Sequence, residues 1–239
     1  MPRKPVRKSR PTNTSVGHSL ELRNIVPLTD NQRNTFLEYS KNRNLVLHGM
    51  AGTGKTFCAL YSALKDVLNP KSKQRKVYII RSAVPTRDVG FLPGSLKEKI
   101  KQYENPYRSI CSHIFSRGDA YDVLKGKDLV EFMSTSFVRG DTYDDCTLII
   151  DEMQNLSFHE LDSVITRVGE NTRIIFSGDF KQSDLVNSHD RKGLQDFLKI
   201  LANMNSFSRI EFGVQDVVRS GLVKEYLIST ATIAVGRTV

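Results

Sequence analysis

The chemistry in this chain is concentrated in a few short stretches. Gly49-Met50-Ala51-Gly52-Thr53-Gly54-Lys55-Thr56 has the pattern G-x-x-x-x-G-K-T. Glycines at these places let successive backbone N–H groups turn inward around phosphate oxygens, and a following helix adds its positive N-terminal end. In such a loop Lys55 reaches the β- and γ-phosphates and the Thr56 hydroxyl binds Mg²⁺. A second stretch, Leu148-Ile149-Ile150-Asp151-Glu152, is an apolar run ending in two carboxylates. If the run is a strand, adjacent side chains point apart. Asp151 is then placed to hold the metal through its water shell, and Glu152 to polarise a water in line with a γ-phosphate. A nucleotide switch or a carrier kinase has no need of the second acid; a hydrolase does. A third stretch, Arg173-Ile174-Ile175-Phe176-Ser177-Gly178-Asp179, is followed by Phe180-Lys181-Gln182. A neutral amide at Gln182 is suited to sensing the γ-phosphate; the plainer reading is a polar turn after a core strand.

These side chains need a scaffold, and hydrophobic periodicity supplies one. Thr29 is expected to cap a helix through Asn42, with Phe36 and Tyr39 on one face. Asn44 to His48 reads as a strand running into the glycine loop. A helix carrying Phe57, Leu60, Leu64 and Leu68 leaves the loop and stops at Asn69-Pro70. Further strands are expected at Val77–Ile80, Leu129–Met133, Thr147–Asp151, Arg173–Ser177 and near Arg209–Phe212. Helices are expected at Phe158–Val168, over about Lys192–Ala202 and from about Leu222 onward. Residues 85–126, punctuated by Pro85, Pro93 and Pro106, read as loop-rich with short helices. Strands alternating with helices, several of them unbroken apolar runs, imply an α/β fold with a mostly parallel sheet covered on both faces.

Composition narrows the function classes. The chain has 239 residues, 39% of them hydrophobic, enough for a substantial core. No apolar run approaches the roughly 18–20 residues of a membrane span, and no apolar segment follows the basic N-terminus as in a secretory signal. Three dispersed cysteines, Cys58, Cys111 and Cys146, suggest a reducing compartment, and a cytoplasmic location is expected. Five histidines show no i, i+4 pairing or clustering with cysteine, which argues against a transition-metal site. Net charge is +9. More than half of the surplus lies in Arg3, Lys4, Arg7, Lys8 and Arg10, so residues 1–18 read as a basic, disordered tail. Such a tail serves either as a phosphate-seeking arm on nucleic acid or simply as a solvated segment.

Taken together, these motifs resemble the PhoH family of P-loop ATPases, which is related to helicases with RecA-like cores. The resemblance runs from about Leu28 to Leu227. It includes Gly90-Phe91-Leu92-Pro93-Gly94-Ser95-Leu96-Lys97-Glu98-Lys99, the run Asp151-Glu152-Met153-Gln154-Asn155, the run Gly178 to Leu185, and Asp216-Val217-Val218-Arg219. Met153 and Phe180 are more similar to bacteriophage-encoded members, which would place the protein in a host cytoplasm. Asp141 stands where the family pattern has a second arginine, which puts any role of that arginine in doubt here.

The resemblance implies one RecA-like P-loop NTPase domain over residues 19–239 that binds ATP with Mg²⁺ and hydrolyses it. It implies that Gln32 reads the adenine edge, against the alternative of a surface glutamine. It implies that Arg219 approaches the γ-phosphate, from its own chain or a neighbour, against the alternative of a structural salt bridge. Arg81, at a strand end, would face nucleic acid. Two functions fit: an ATPase working on RNA or single-stranded nucleic acid, or an ATP-binding regulatory or scaffold protein with slow hydrolysis. A motor built from one such core would need a homo-oligomeric ring, such as a hexamer, with sites between subunits.

Overall fold

The computed structural model describes residues 20–82, 96–138, 140–179 and 188–236. The expected basic tail, the segment Gly90–Ser95, Arg139 and the run containing Gln182 lie outside the described residues. Six strands form one all-parallel sheet: β1 (Asn44–Gly49), β2 (Lys76–Arg81), β3 (Val130–Ser134), β4 (Cys146–Ile150), β5 (Arg173–Gly178) and β6 (Phe207–Phe212). Their order across the sheet is β3-β2-β4-β5-β1-β6.

Apolar side chains alternate between the two faces, as the pleat requires. Leu45, Leu47, Ile79, Ile149 and Ile175 face one core. It is closed by α1 (Asp30–Ser40), α2 (Lys55–Val67), α3 (Leu96–Phe115) and α4 (Ala120–Gly126). Val46, Ile80, Leu148, Ile150 and Phe176 face a second core under α5 (Phe158–Ile165) and α6 (Ser188–Ala202). Burial on both faces explains why the strands read as unbroken apolar runs.

Thr29 caps α1 as expected, its side chain accepting from the Gln32 N–H, though the helix ends at Ser40. A capping box of Ser157 and Glu160 starts α5, which stops at Ile165, short of the expected Val168. The largest departure is α3. The loop-rich reading of residues 85–126 fails over Leu96–Phe115, a 20-residue helix that continues through Pro106. Proline removes one hydrogen bond. Burial of Tyr107, Cys111 and Ile114 on a single stripe holds the helix against the sheet regardless. A last helix, α7 (Gly221–Gly236), follows β6 and a 3₁₀ turn at Val214–Asp216.

Candidate phosphate-binding site

The carboxyl ends of β1, β4 and β5 lie side by side, His48 in register with Gly178 and Ile150 with Phe176. Ligands of parallel α/β sheets bind at such an edge. β1 delivers Gly49, whose φ of +120° and close approach to β6 admit no side chain: a Cβ there would meet the Phe212 carbonyl oxygen at 2.1 Å. Met50 N–H then donates to that same carbonyl at 3.0 Å, and Val218 N–H donates to Gly52 O at 3.1 Å. The loop is thus clamped from the β6 side. Thr53 closes it on itself, its hydroxyl donating to Met50 O at 2.9 Å. Gly54, left-handed at φ 86°, precedes α2. Among the described residues no side chain caps the first-turn N–H groups of this helix, and such a helix start favours an anion.

Lys55 is 8% exposed and its ammonium donates to Gly49 O and Met50 O, both at 2.7 Å. Burial pulls it below the usual lysine range, while Asp179, Glu152 and Asp151 pull the other way. Among the described residues its hydrogen bonds run to these two neutral carbonyls, with three acids close enough to act on it. Thr56 donates to Asp151 Oδ1 at 2.9 Å. A hydroxyl and one carboxylate suit a hard cation that keeps water and phosphate oxygens as its remaining ligands, as Mg²⁺ does. Among the described residues no group of three or more His, Cys, Asp or Glu comes together as a metal site.

The acid pair is placed differently from the strand-alternation expectation. β4 ends at Ile150, so both acids lie beyond it. Asp151 N–H still donates to Ile80 O at 2.9 Å. Glu152, next in the chain, has a left-handed backbone, φ 52°. Such a backbone is costly for a residue with a side chain and persists only where its surroundings enforce it. Gln154 supplies that enforcement. It is 3% exposed, its amide donates to Glu152 Oε2, and its Oε1 accepts Asp179 N–H at 3.0 Å.

The remaining expectations fall as follows. Gln32 is buried, not on the surface. Its Nε2 donates to Thr53 O at 3.1 Å and its Oε1 accepts Leu28 N–H at 2.9 Å. One N–H and one lone pair of its amide remain beyond these bonds. Arg219 is exposed, its side chain lying against Gly52. Among the described residues it makes no ion pair, so the salt-bridge alternative finds no partner there. Arg81 stands over the Tyr103 ring at 5.6 Å. Gly49, Met50, Ala51, Gly52, Thr53, Gly54, Lys55, Thr56, Asp151, Glu152, Gln32 and Arg219 are gathered at one edge of the sheet. Sequence reasoning named Gln154, which adjoins the acid pair, only within a family run and gave it no role, and it missed Tyr107 of α3, whose hydroxyl donates to Asp151 Oδ2 at 2.8 Å. It also missed Asn31 and Asp216, joined at 2.7 Å, which tie α1 to the Asp216–Arg219 segment.

Gln32, Lys55, Thr56, Asp151, Glu152 and Arg219 border a cleft of about 880 Å³. Part of its lining is polar, with the phosphate loop, Asp151, Glu152 and Asp179. Ile25, Phe57 and Ile110 add apolar surface to its lining, beside Arg23, Asn24, Ser109 and His113. The segment before α1 forms part of its wall, held by Arg23 N–H on Ile114 O at 3.1 Å and Ile25 N–H on the Tyr61 hydroxyl at 3.2 Å.

Strand, glycine loop and helix in this arrangement, with β5 inserted between the loop strand and the acid strand, define a P-loop NTPase fold of the RecA-like kind. The chain belongs to the PhoH family: the family described as PhoH-like protein matches residues 24–230. It is 31% identical over 217 residues to the PhoH-like protein of Bacillus subtilis, covering 90% of this chain and 65% of that one. It is also 31% identical over 202 residues to the PhoH-like protein of Mycobacterium leprae, covering 84% of this chain and 57% of that one. The chain therefore spans less than two thirds of the length of these relatives. Among solved structures it is similar to the large terminase of a thermophilic bacteriophage, with a TM-score of 0.49 and 9% identity over 84% of this chain and 49% of that one. No helix among the described residues is long and apolar enough to cross a membrane.

Proposed function

We propose that this protein binds ATP with Mg²⁺ and hydrolyses it. The reading is carried by one observation: the Thr56 hydroxyl lies 2.9 Å from an Asp151 oxygen, directly beside a phosphate loop whose lysine donates to two of the loop's own carbonyls. The loop N–H groups and Lys55 grip the β- and γ-phosphates. Thr56 and Asp151 would hold Mg²⁺, which supplies charge neutralisation at the phosphate oxygens. Glu152, fixed by Gln154, orients the attacking water and takes up its proton. Gln32 offers its remaining N–H and lone pair to adenine, and the apolar part of the cleft lining receives the base. Gln182 senses the γ-phosphate, and Arg219, already against the loop, stabilises the developing charge.

The same reading couples hydrolysis to RNA or single-stranded nucleic acid, with Arg81 and the basic tail as contacts and a ring of subunits as the working form. Purified full-length chain is assayed for ATP turnover with and without single-stranded RNA, alongside native mass in an ATP analogue. Mg²⁺-dependent turnover stimulated by RNA, in an assembly larger than a monomer, is the expected result. Turnover indifferent to RNA removes the coupling and favours a scaffold with slow hydrolysis. Absence of nucleotide binding removes the whole reading.

A further inference from the structure

Asp151 accepts hydrogen bonds on both oxygens, and only one of them comes from the phosphate loop. Oδ1 takes the Thr56 hydroxyl, and Oδ2 takes the Tyr107 hydroxyl at 2.8 Å. Tyr107 belongs to α3, a different element from the loop. It is 1% exposed, and its ring lies 5.8 Å from that of Phe132 within the first core. The phenol is therefore held by packing, and its hydroxyl reaches the acid from a rigid base. A carboxylate otherwise turns within a broad, roughly two-fold torsional well. With Oδ2 pinned, Oδ1 is left facing Thr56. One turn earlier on the same helix, Tyr103 packs beneath the Arg81 guanidinium, so the same face of α3 also buttresses the end of β2.

We propose that Tyr107 is a positioning residue, whose hydroxyl fixes Asp151 so that Oδ1 and the Thr56 hydroxyl present two preset oxygens to a divalent cation. The inference rests on the nucleotide reading given above. Groups that orient a metal-ligating carboxylate affect metal affinity as well as rate, and their removal typically costs 10–100-fold. A buried tyrosine–aspartate bond with a purely structural role would lower the melting temperature and leave the metal dependence alone.

The test uses the full chain, a fluorescent ADP analogue and Mg²⁺. In EDTA, wild type and Tyr107→Phe are expected to bind the analogue equally, since the loop and Lys55 are untouched. The Mg²⁺ concentration that half-saturates the metal-dependent gain in affinity is expected to rise about ten-fold in the variant. Displacement of Mn²⁺, followed by its paramagnetic resonance in the presence of ADP, should give the same ratio. A metal midpoint matching that of wild type, with or without a lower melting temperature, overturns the proposal and leaves the nucleotide reading standing. If wild type binds no nucleotide, both fall together. Should Tyr107→Phe fail to fold, 3-fluorotyrosine placed at position 107 alone preserves the hydroxyl and reports by fluorine resonance. Its signal is expected to move when Mg²⁺ joins bound ADP, and an unmoved signal overturns the proposal.

Discussion

Gly178→Ala adds one methyl group and removes no chemistry, yet it is expected to disable turnover. Gly178 ends β5, where the buried Gln154 amide passes directly over it. A Cβ there would lie 2.4 Å from Gln154 Oε1 and 2.9 Å from Met153 Cγ. Relief to ordinary contact near 3.4 Å requires the amide to retreat by roughly 1 Å. The Asp179 N–H bond, now 3.0 Å, would stretch beyond hydrogen-bond reach, and the link to Glu152 would go with it. A buried N–H left without a partner costs about 1–3 kcal/mol, and a bond to a charged group contributes about 1.5–3 kcal/mol. Glu152 is only half-buried, so water replaces part of the second quantity, and a total of roughly 2–4 kcal/mol follows. For a chain of this size that is a fall in melting temperature of roughly 4–16 °C.

Turnover should fall by about 10- to 100-fold, part of the 10²–10⁴ that a positioned general base supplies. Affinity for a nucleotide diphosphate should stay near wild type. The causal step is isolated by a double-mutant cycle with Gln154→Ala. If Gly178→Ala acts by displacing Gln154, it should add little to the single Gln154→Ala variant in either stability or rate. Additive losses, or a Gly178→Ala protein that melts and turns over like wild type, would refute the idea that Gln154 holds the left-handed Glu152 in place.

Other perturbations separate grip from chemistry. Lys55→Ala should fold normally by circular dichroism and lose nucleotide binding by about two orders of magnitude or more in equilibrium titration, because the cation facing the loop is gone. Glu152→Gln should bind ATP and hydrolyse it about 10²–10⁴-fold more slowly, and full activity there would remove Glu152 from its role. His48 is a buried residue of β1, accepting from Arg209 Nε of β6 at 2.6 Å. Burial, then Arg209, push its pKa from 6.5 down to about 4. The folded chain therefore resists a proton that the unfolded chain accepts, so stability is lost as pH falls from about 6.5 toward 4. Urea midpoints measured at pH 7.5 and pH 5 should differ, and His48→Gln should reduce that difference.

The sequence carries the phosphate site more fully than it carries the network around it, and the reason is physical. A phosphate loop binds through backbone groups, so its glycines, lysine and threonine must fall at fixed spacing along one segment. Strand β1 and helix α2 are legible for the same reason, since an apolar run and a 3.6-residue stripe flank the loop directly. Tyr107 and Asn31 meet their partners across long stretches of chain, and the contacts of Gln154 with Asp179 and of Asp216 with Asn31, though both residues stand inside the family runs, are visible only in the fold. Gln154 in particular touches Glu152 only because a left-handed turn folds the chain back, which alternation along a strand does not anticipate. The error at α3 has another origin. Pro106 reads as a helix breaker, yet the i, i+4, i+7 stripe of Tyr107, Cys111 and Ile114 is equally present in the sequence and outweighs it. A proline withdraws one hydrogen bond, whereas Tyr107, Cys111 and Ile114 are all buried, and Ile114 alone contributes about 1.5–3 kcal/mol of apolar burial. Since that stripe also delivers the Tyr107 hydroxyl to Asp151, the helix that composition disguises is the one that brings a second hydrogen bond to this acid.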